Sequence, residues 1–104
     1  MDGRALSITS FVDGDVNEVK LVGRLDVKAA KEADAAFVQA VSEAKNIVLD
    51  MTELDYIASA GLRTLKRLRT AVRGNGGTLT LRGVKEEVME VFEMTGFAAM
   101  LTFE

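Results

Sequence analysis

The chain has 104 residues, 48% of them hydrophobic and 28% charged, which predicts one globular domain spanning residues 1–104. It contains no cysteine, histidine or tryptophan, and this excludes disulfides, zinc sites built from cysteine and histidine, and Ser-His-Asp or Cys-His nucleophiles. The net charge of −3 argues against general nucleic-acid affinity, and no apolar run approaches the ~20 residues of a membrane helix. Because the start lacks an apolar leader stretch, we expect a cytoplasmic protein. From the missing residue types, the charge and the short apolar runs, we expect no cofactor, metal site, nucleic-acid partner or membrane partner.

The first half of the sequence predicts a hairpin, a helix and a buried strand. Apolar and polar residues alternate over 6–11 and again over 19–23, and the turn signal Asp13-Gly14-Asp15 lies between them, as in two paired strands. From residue 28 to residue 44, apolar positions recur at spacings of three and four, which is typical of an amphipathic helix. The apolar run at 47–49, followed by Asp50, then predicts a central strand.

The second half of the sequence alternates helices and strands. A helix is predicted over residues 60–73 and ends at Gly74-Asn75-Gly76-Gly77, because glycine and asparagine accept the left-handed conformation of a helix C-terminus. Alternation at 78–81 predicts a strand. Apolar positions between 84 and 95 predict a third helix, and residues 100–103 predict a short last strand.

The predicted element order is β-β-α-β-α-β-α-β, an α/β arrangement. Strands that alternate with helices favour parallel pairing through right-handed crossovers. We therefore predict a mixed sheet of about five strands, in which an N-terminal hairpin is followed by parallel β-α units packed against helices.

Ser59 stands where the loop after the 47–50 strand meets the next helix. A serine at such a position caps the first backbone N–H groups of many helices. A phosphate on its hydroxyl would meet the same N–H donors and the positive end of the helix dipole. The residues leave two interpretations open: a structural cap, and a phosphoacceptor whose modification changes a binding surface and not the fold.

Asp26 ends the motif Gly23-Arg24-Leu25-Asp26 just after the second predicted strand. Loops that follow parallel strands gather at the carboxyl edge of the sheet, so we expect Asp26 near Ser59. Two roles are open for its carboxylate, which either caps the helix that begins near Val27 or contacts a partner.

Asp50 and Asp55 are expected around the same edge. One alternative makes Asp50 a phosphoacceptor that works with Mg²⁺, as in response-regulator receivers. Such a site needs an acidic pair after an early strand and a lysine after a late one. Asp26 gives only one acid, and the late Lys85 is predicted inside the start of a helix. Capping or turn formation is therefore the favoured role of both aspartates.

Basic residues fall along one side of the predicted 60–73 helix, namely Arg63, Lys66, Arg67 and Arg73. A solvated helix face is the default interpretation, and a docking surface for an acidic partner is the other. Phe97, which follows Met94-Thr95-Gly96, is interpreted either as a hydrophobic contact after the helix or as an exposed residue beside a partner.

Three stretches of the sequence resemble motifs of the STAS family, the anti-sigma factor antagonists of bacteria. Gly23-Arg24-Leu25-Asp26 resembles the family's G-[E/R]-[L/I]-D after its second strand. Asp55-Tyr56-Ile57-Ala58-Ser59-Ala60-Gly61-Leu62 resembles its phosphoserine loop. Val91-Phe92-Glu93-Met94-Thr95-Gly96-Phe97 resembles its late helix and the following turn. The three stretches occur in the family's order, and the resemblance covers nearly the whole chain.

The resemblance implies a non-enzymatic anti-sigma factor antagonist in a partner-switching pathway of transcription regulation. Such a protein, while unphosphorylated, binds an anti-sigma factor that is a serine kinase using ATP and Mg²⁺. Phosphorylation, which the match assigns to Ser59, ends that binding, and a separate serine phosphatase restores it. The partner surface is expected to comprise Asp26, Ala58, Ser59, Ala60, Gly61, Arg63 and Phe97.

The sequence departs from the family pattern in two places. Many antagonists have aspartate immediately before the phosphoserine, whereas this chain has Ala58, so a polar contact beside the acceptor is lost. Relatives also carry a further C-terminal helix that is missing after Glu104, and we expect the uncovered surface to favour a homodimer. The alternative function is a non-phosphorylated STAS scaffold or a transporter-associated interaction subunit, and an enzyme ranks third.

Overall fold

The structure, a computed structural model, describes residues 5–104. Within these residues five strands and three α-helices follow the predicted order, and a single 3-10 turn precedes the last strand. The elements are β1 (Ser7–Asp13), β2 (Val16–Leu25), α1 (Ala30–Glu43), β3 (Asn46–Ile57), α2 (Ser59–Gly74), β4 (Leu79–Arg82), α3 (Glu86–Thr95), the 3-10 turn (Phe97–Ala99) and β5 (Thr102–Phe103). None of the helices in this described part is both long and apolar enough to cross a membrane.

Strands that follow one another along the chain are also neighbours in the sheet, whose order is β1-β2-β3-β4-β5. β1 and β2 form the predicted antiparallel hairpin, and β2, β3, β4 and β5 are parallel. Because each right-handed crossover advances in the same direction, the helices that make these connections lie on one face of the sheet. The predicted mixed five-stranded sheet packed against helices is confirmed.

The hydrophobic core lies between the sheet and the helices. Leu21 of β2 and Leu49 of β3 are fully buried on the helix-facing side of the sheet. Phe37 of α1, Leu65 of α2 and Phe92 of α3 belong to the same apolar cluster. Burial of a side chain of this size contributes about 1.5–3 kcal/mol relative to an exposed one, so the core fixes the helices firmly against the sheet.

Two insertions lengthen β3 well beyond the predicted strand. Its buried residues recur at a spacing of two up to Met51 and then at a spacing of three, at Leu54 and Ile57. At each spacing of three, β3 contains one residue more than the segment of β2 with which it pairs, as in a β-bulge. The prediction that a loop follows Asp50 is therefore wrong, because the strand continues to Ile57. The register on either side of the insertions is Lys20 with Asp50, Val22 with Glu53, Gly23 with Leu54 and Arg24 with Tyr56.

The opposite face of the sheet carries charged side chains, and no helix of the described chain covers it. Arg82 pairs with Glu18 at 3.0 Å and with Glu104 at 2.9 Å, while Lys20 pairs with Glu53 at 2.8 Å. The hydrogen bond to Glu104 contributes most to raising the pKa of Arg82, and the hydrogen bond to Glu18 raises this pKa further. Exposed ion pairs contribute little free energy, so this network chiefly keeps the face polar.

Candidate functional site

The carboxyl ends of β2 and β3 lie side by side and form the edge at which the site is built. Leu25 and Ile57 are in register as the last residues of the two strands. The backbone N–H of Ala58 then donates a 2.9 Å hydrogen bond to the carbonyl oxygen of Leu25. Asp26 and Ser59 therefore follow two chain segments that are hydrogen-bonded to each other.

Ser59 is the first residue of α2 and not its cap. Ala58 occupies the N-cap position with extended backbone angles, φ −96° and ψ 171°, and no side chain among the described residues caps the helix. The capping interpretation of Ser59 is therefore wrong, because the helix starts one residue earlier than that role requires. The side chain of Ser59 is exposed, and within residues 5–104 its hydroxyl has no hydrogen-bond partner.

The first turn of α2 has backbone donors without helical acceptors. The first i to i−4 hydrogen bond runs from the Leu62 N–H to the Ala58 carbonyl, at 3.1 Å. The N–H groups of Ser59, Ala60 and Gly61 precede that bond and have no acceptor inside the helix. The methyl group of Ala58 accepts no hydrogen bond, and no acidic residue lies in this first turn. The donors are thus available to water or to an anion.

Gly61 allows α2 to approach the sheet edge closely. A β-carbon at this position would stand 2.8 Å from Leu25 Cγ and from Ile57 Cγ1, and 3.0 Å from the Leu25 carbonyl oxygen. Thr64 Oγ1 donates a buried hydrogen bond of 2.7 Å to the Gly61 carbonyl. This packing assigns Gly61 a structural role in placing Ser59. Its predicted contact with a partner stays a prediction.

Asp26 caps the turn that leads into α1. Its Oδ1 accepts a 3.0 Å hydrogen bond from the Ala29 N–H, and α1 begins at Ala30. The prediction that Asp26 caps the helix is therefore wrong in detail: its carboxylate caps the preceding turn, whereas α1 starts three residues after Val27 with Ala29 at its N-cap, to which no side chain of the described residues gives a capping hydrogen bond. The partner-contact role of the half-buried carboxylate stays a prediction.

Asp50 lies within β3 and does not reach the edge. Its Oδ1 accepts hydrogen bonds from Thr52 Oγ1 at 2.7 Å and from the Thr52 N–H at 3.1 Å. Although partial burial alone raises the pKa of the Asp50 carboxyl, these bonds and the charges of Lys20 and Arg82 lower it below its usual value. The expectation that Asp50 lies at the carboxyl edge is wrong, since the bulged strand continues for seven residues beyond it.

Lys85 immediately precedes α3, so the prediction that it lies inside the start of the helix is also wrong. Its Nζ forms an ion pair with Asp55 Oδ1 at 2.5 Å, which ties the β4-α3 loop to the end of β3. Among residues 5–104 no group of three or more acidic side chains is arranged to hold a metal ion. The receiver-like alternative for Asp50 therefore finds no supporting geometry.

Phe97 lies in the 3-10 turn after α3 and packs against the core. Gly96, with φ +83°, ends α3 in the left-handed conformation that favours glycine, and this directs Phe97 back onto the cluster. The predicted hydrophobic contact after the helix is confirmed. Contact of Phe97 with a partner stays a prediction.

A family model of the STAS domain matches residues 9–104. The chain belongs to the STAS domain family. Two relatives are described as antagonists of anti-sigma factors. BtrV of Bordetella bronchiseptica is 36% identical over 81 residues, which are 77% of this chain and 70% of BtrV. The anti-sigma-B factor antagonist of Staphylococcus epidermidis is 28% identical over 97 residues, which are 92% of this chain and 90% of that protein.

Solved structures share the fold of this STAS domain. A Thermotoga maritima protein described as an anti-sigma factor antagonist has a TM-score of 0.81 at 17% identity, with 92% of this chain and 84% of that chain covered. The anti-sigma factor antagonist SpoIIAA in its unphosphorylated form has a TM-score of 0.73 at 17% identity, covering 96% and 87% of the two chains. The phosphorylated form of Bacillus SpoIIAA has a TM-score of 0.72 at 18% identity, covering 96% and 91%.

Sequence reasoning missed one exposed apolar residue of the STAS domain beside the site. Val27 follows Asp26 in the turn before α1, and 71% of its surface is exposed. Val27 stands three residues before the buried Ala30, a spacing that continues the apolar pattern of α1, so the sequence carried no signal of its exposure; the valine is exposed because the helix begins only at Ala30. The exposed valine adds an apolar contact surface at the edge where Ser59 begins α2.

The four basic residues predicted on one side of α2 divide into two groups in the structure. Arg67 forms a bidentate ion pair with Asp34 of α1, in which the Nε–Oδ1 distance is 3.1 Å and the Nη2–Oδ2 distance is 2.7 Å. The hydrogen bond to Asp34 raises the pKa of Arg67. Arg63, Lys66 and Arg73 are exposed, and they form no ion pair within the described residues. The predicted single basic side therefore keeps three uncompensated charges.

Proposed function

We propose that this STAS domain is an anti-sigma factor antagonist that binds an anti-sigma serine kinase while Ser59 is unphosphorylated and is released when Ser59 is phosphorylated. The observation that carries the proposal is the exposed Ser59 hydroxyl, which has no hydrogen-bond partner in the described chain and begins α2. A side chain with no structural duty is open to modification at no direct cost to the fold. The names of the relatives support an antagonist, and the family resemblance supports Ser59 as the acceptor.

The transfer needs little from the STAS domain itself. A bond forms between Ser59 Oγ and the γ-phosphorus of ATP held by the kinase, the bond from that phosphorus to ADP breaks, and the hydroxyl proton leaves to a base. Ala58, which precedes the acceptor, carries no proton acceptor, and our proposal assigns the base to the kinase. Positioning of the hydroxyl by α2 is this chain's contribution.

Phosphorylation of Ser59 adds about −1.5 to −2 charges where a neutral hydroxyl stood. The free N–H groups of the first turn and the helix dipole stabilise the added negative charge by about 0.3–1 kcal/mol at an exposed terminus. The fold therefore tolerates the phosphate, while the surface beside Asp26 and Val27 becomes strongly negative. A kinase surface that fits the neutral serine then repels the phosphate and has no group that pairs with it. The switch acts on binding and not on folding.

The proposed cycle requires two partners and no catalytic group of this chain. The serine kinase is both the bound anti-sigma factor and the enzyme that phosphorylates Ser59. A separate serine phosphatase hydrolyses the phosphoserine and restores binding. The STAS domain contributes a surface at the carboxyl edge of the sheet, made by the loop at Asp26 and the start of α2, and performs no catalysis.

Incubation of the full chain with the kinase, ATP and Mg²⁺ tests the proposal by intact mass. One phosphate is expected on the parent chain and none on Ser59→Ala, whereas Ser42→Ala, a change at an exposed serine of α1, keeps the phosphate. Ser59→Asp is expected to weaken binding to the ADP-bound kinase at least tenfold, and Ser42→Asp is not. Unchanged affinity of Ser59→Asp would contradict the switch. Absence of phosphate together with parent-like binding by Ser59→Ala would instead support the unphosphorylated scaffold.

A further inference from the structure

Charges are separated between two neighbouring helices along the chain. α2 contains five basic residues and no acidic one, although the whole chain has 13 basic and 16 acidic residues. α3 shows the reverse pattern, with four glutamates and no basic residue. A domain with a net charge of −3 thus presents one strongly positive helix.

The exposed positive charges of α2 form a line that starts at Ser59. Positions 59, 63, 66, 70 and 73 recur every three or four residues and therefore share one face of the helix. Arg63, Lys66 and Arg73 on this line are exposed and have no ion-pair partner in the described part of the chain. We call these three residues the basic ridge. From Ser59 to Arg73 the line is about 21 Å long.

The stability of the fold explains Arg73 of the basic ridge, which lies in the last turn of α2 where the helix dipole favours a cation, but it does not explain Arg63 and Lys66. Arg63 and Lys66 are like charges three residues apart on one face of α2, which is unfavourable, and neither lies in the last turn, where the helix dipole would stabilise a cation. No acidic residue in the first turn of α2 balances them. In α3, by contrast, Glu86 and Glu87 occupy the first turn, where the helix dipole stabilises them. The acidic helix therefore has a structural explanation, and the first half of the ridge does not.

We infer that the basic ridge docks against an acidic surface of the anti-sigma kinase and extends the interface from Ser59 along α2. This inference rests on the proposed function and adds the chemistry of the partner's surface. Complementary charges steer an encounter and set its orientation, and the acidic face of α3 disfavours the wrong approach to the same surface. The ridge thus selects the orientation that brings Ser59 to the kinase.

The same ridge makes the phosphate a more effective release signal. Arg63 lies four residues after Ser59, a spacing at which side chains on a helix meet. A phosphate on Ser59 would therefore attract the Arg63 guanidinium and withdraw it from the acidic partner surface. The phosphate would also place negative charge against that surface directly. Both effects slow re-binding of the phosphorylated chain.

The association rate constant with the ADP-bound kinase tests the inference, where the kinase is the purified enzyme that phosphorylates Ser59. The variant is Arg63→Gln with Lys66→Gln, and the matched control is Lys31→Gln with Lys45→Gln, which removes the same charge from exposed positions elsewhere. The ridge variant is expected to associate about tenfold more slowly at low salt. The dissociation rate constant should change less than about twofold, and the difference should disappear near 1 M salt. The control should match the parent within about twofold.

Equal association rates for the ridge variant and the control would overturn the inference, as would a loss of affinity found only in the dissociation rate. Retained kinase association combined with lost binding of a short DNA duplex would assign the ridge to nucleic acid and overturn it too. If Ser59→Asp prevents kinase binding while the ridge variant associates like the parent, the ridge inference fails and the proposed function stands. If the parent chain binds no serine kinase at any salt concentration, both fail. A melting temperature equal to or above that of the parent shows that the ridge variant is folded.

Discussion

The hydrogen bond of 2.9 Å from the Ala58 N–H to the Leu25 carbonyl joins the end of β2 to the start of α2. It fixes Ala58 as the N-cap and leaves Ser59 as the first helical residue. Because Leu25 also stands against Gly61, one leucine positions both the strand end and the helix start. The exposed hydroxyl of Ser59 is therefore positioned by backbone and core packing, without a hydrogen bond of its own to any residue that the structure describes.

Gly61→Ala is expected to destabilise the domain by about 1–3 kcal/mol, because the added methyl group overlaps Leu25 and Ile57 at 2.8 Å. Gly74→Ala is the matched control, since a β-carbon there meets no described atom outside its own helix within 4 Å and Gly74 ends the same helix. Alanine at that position should be neutral or stabilise by about 0.5–1 kcal/mol. Urea denaturation followed by circular dichroism measures both changes. Equal stabilities of the two variants would contradict the close packing at Gly61.

Ala58→Asp is expected to stabilise the domain by about 0.5–2 kcal/mol, because a carboxylate at the N-cap accepts hydrogen bonds from the first turn of α2. Ala35→Asp, at an exposed interior position of α1, should instead destabilise it by about 0.5 kcal/mol. Guanidinium denaturation at neutral pH gives both values. A fall in stability on Ala58→Asp would show that Ala58 is not the cap of α2.

Asp26→Ala is expected to lower the free energy of unfolding by about 1 kcal/mol, because it removes the acceptor for the Ala29 N–H. Asp26→Asn keeps an acceptor and should stay within about 0.5 kcal/mol of the parent. The asparagine variant therefore separates the two roles of Asp26. Near-parent stability with weakened kinase binding would support the partner contact, and parent-like binding would leave the cap as its only role. Calorimetric titration of the kinase measures the binding.

The stabilising effect of Asp50 is expected to depend on pH. Its pKa in the folded protein is lower than its usual value, so the folded state binds fewer protons there and the stabilisation is present above the unfolded pKa. It is lost as pH falls through the folded pKa. Asp50→Asn should thus lower the free energy of unfolding by about 0.5 kcal/mol at pH 7 and have little effect near pH 2–3.

Urea denaturation at the two pH values checks this expectation for Asp50. Glu90→Gln, at an exposed position of α3, serves as the control and should show little change at either pH. A larger effect of Asp50→Asn in acid than at neutral pH would contradict the sign. An equal effect at both values would show that shape, and not charge, explains the change.

Local sequence patterns predicted most of the fold and misplaced the details of β3. Strand and helix periods are short-range properties, so the hairpin, the three helices and their order were readable from apolar spacing. The two insertions in β3 change the spacing of its buried residues from two to three at Leu54 and Ile57. The second half of the strand therefore lacks the alternation by which a strand is recognised in a sequence. A bulge is defined by the partner strand's register, and only the pairing with β2 reveals it.

The sequence by itself determined the α/β order and the presence of a serine beside the start of a helix. Tertiary structure decided what that serine does locally. Because the bulges carry β3 to Ile57 and the Leu25 carbonyl holds Ala58, the helix begins at Ser59, whose hydroxyl has no partner in the described part of the chain. Tertiary contacts also paired Arg67 with Asp34 and gave Arg63 and Lys66 no ion-pair partner among residues 5–104. Arg67 and Asp34 are 33 positions apart in the sequence, and the periodicity of one helix carries no information about such a distant contact.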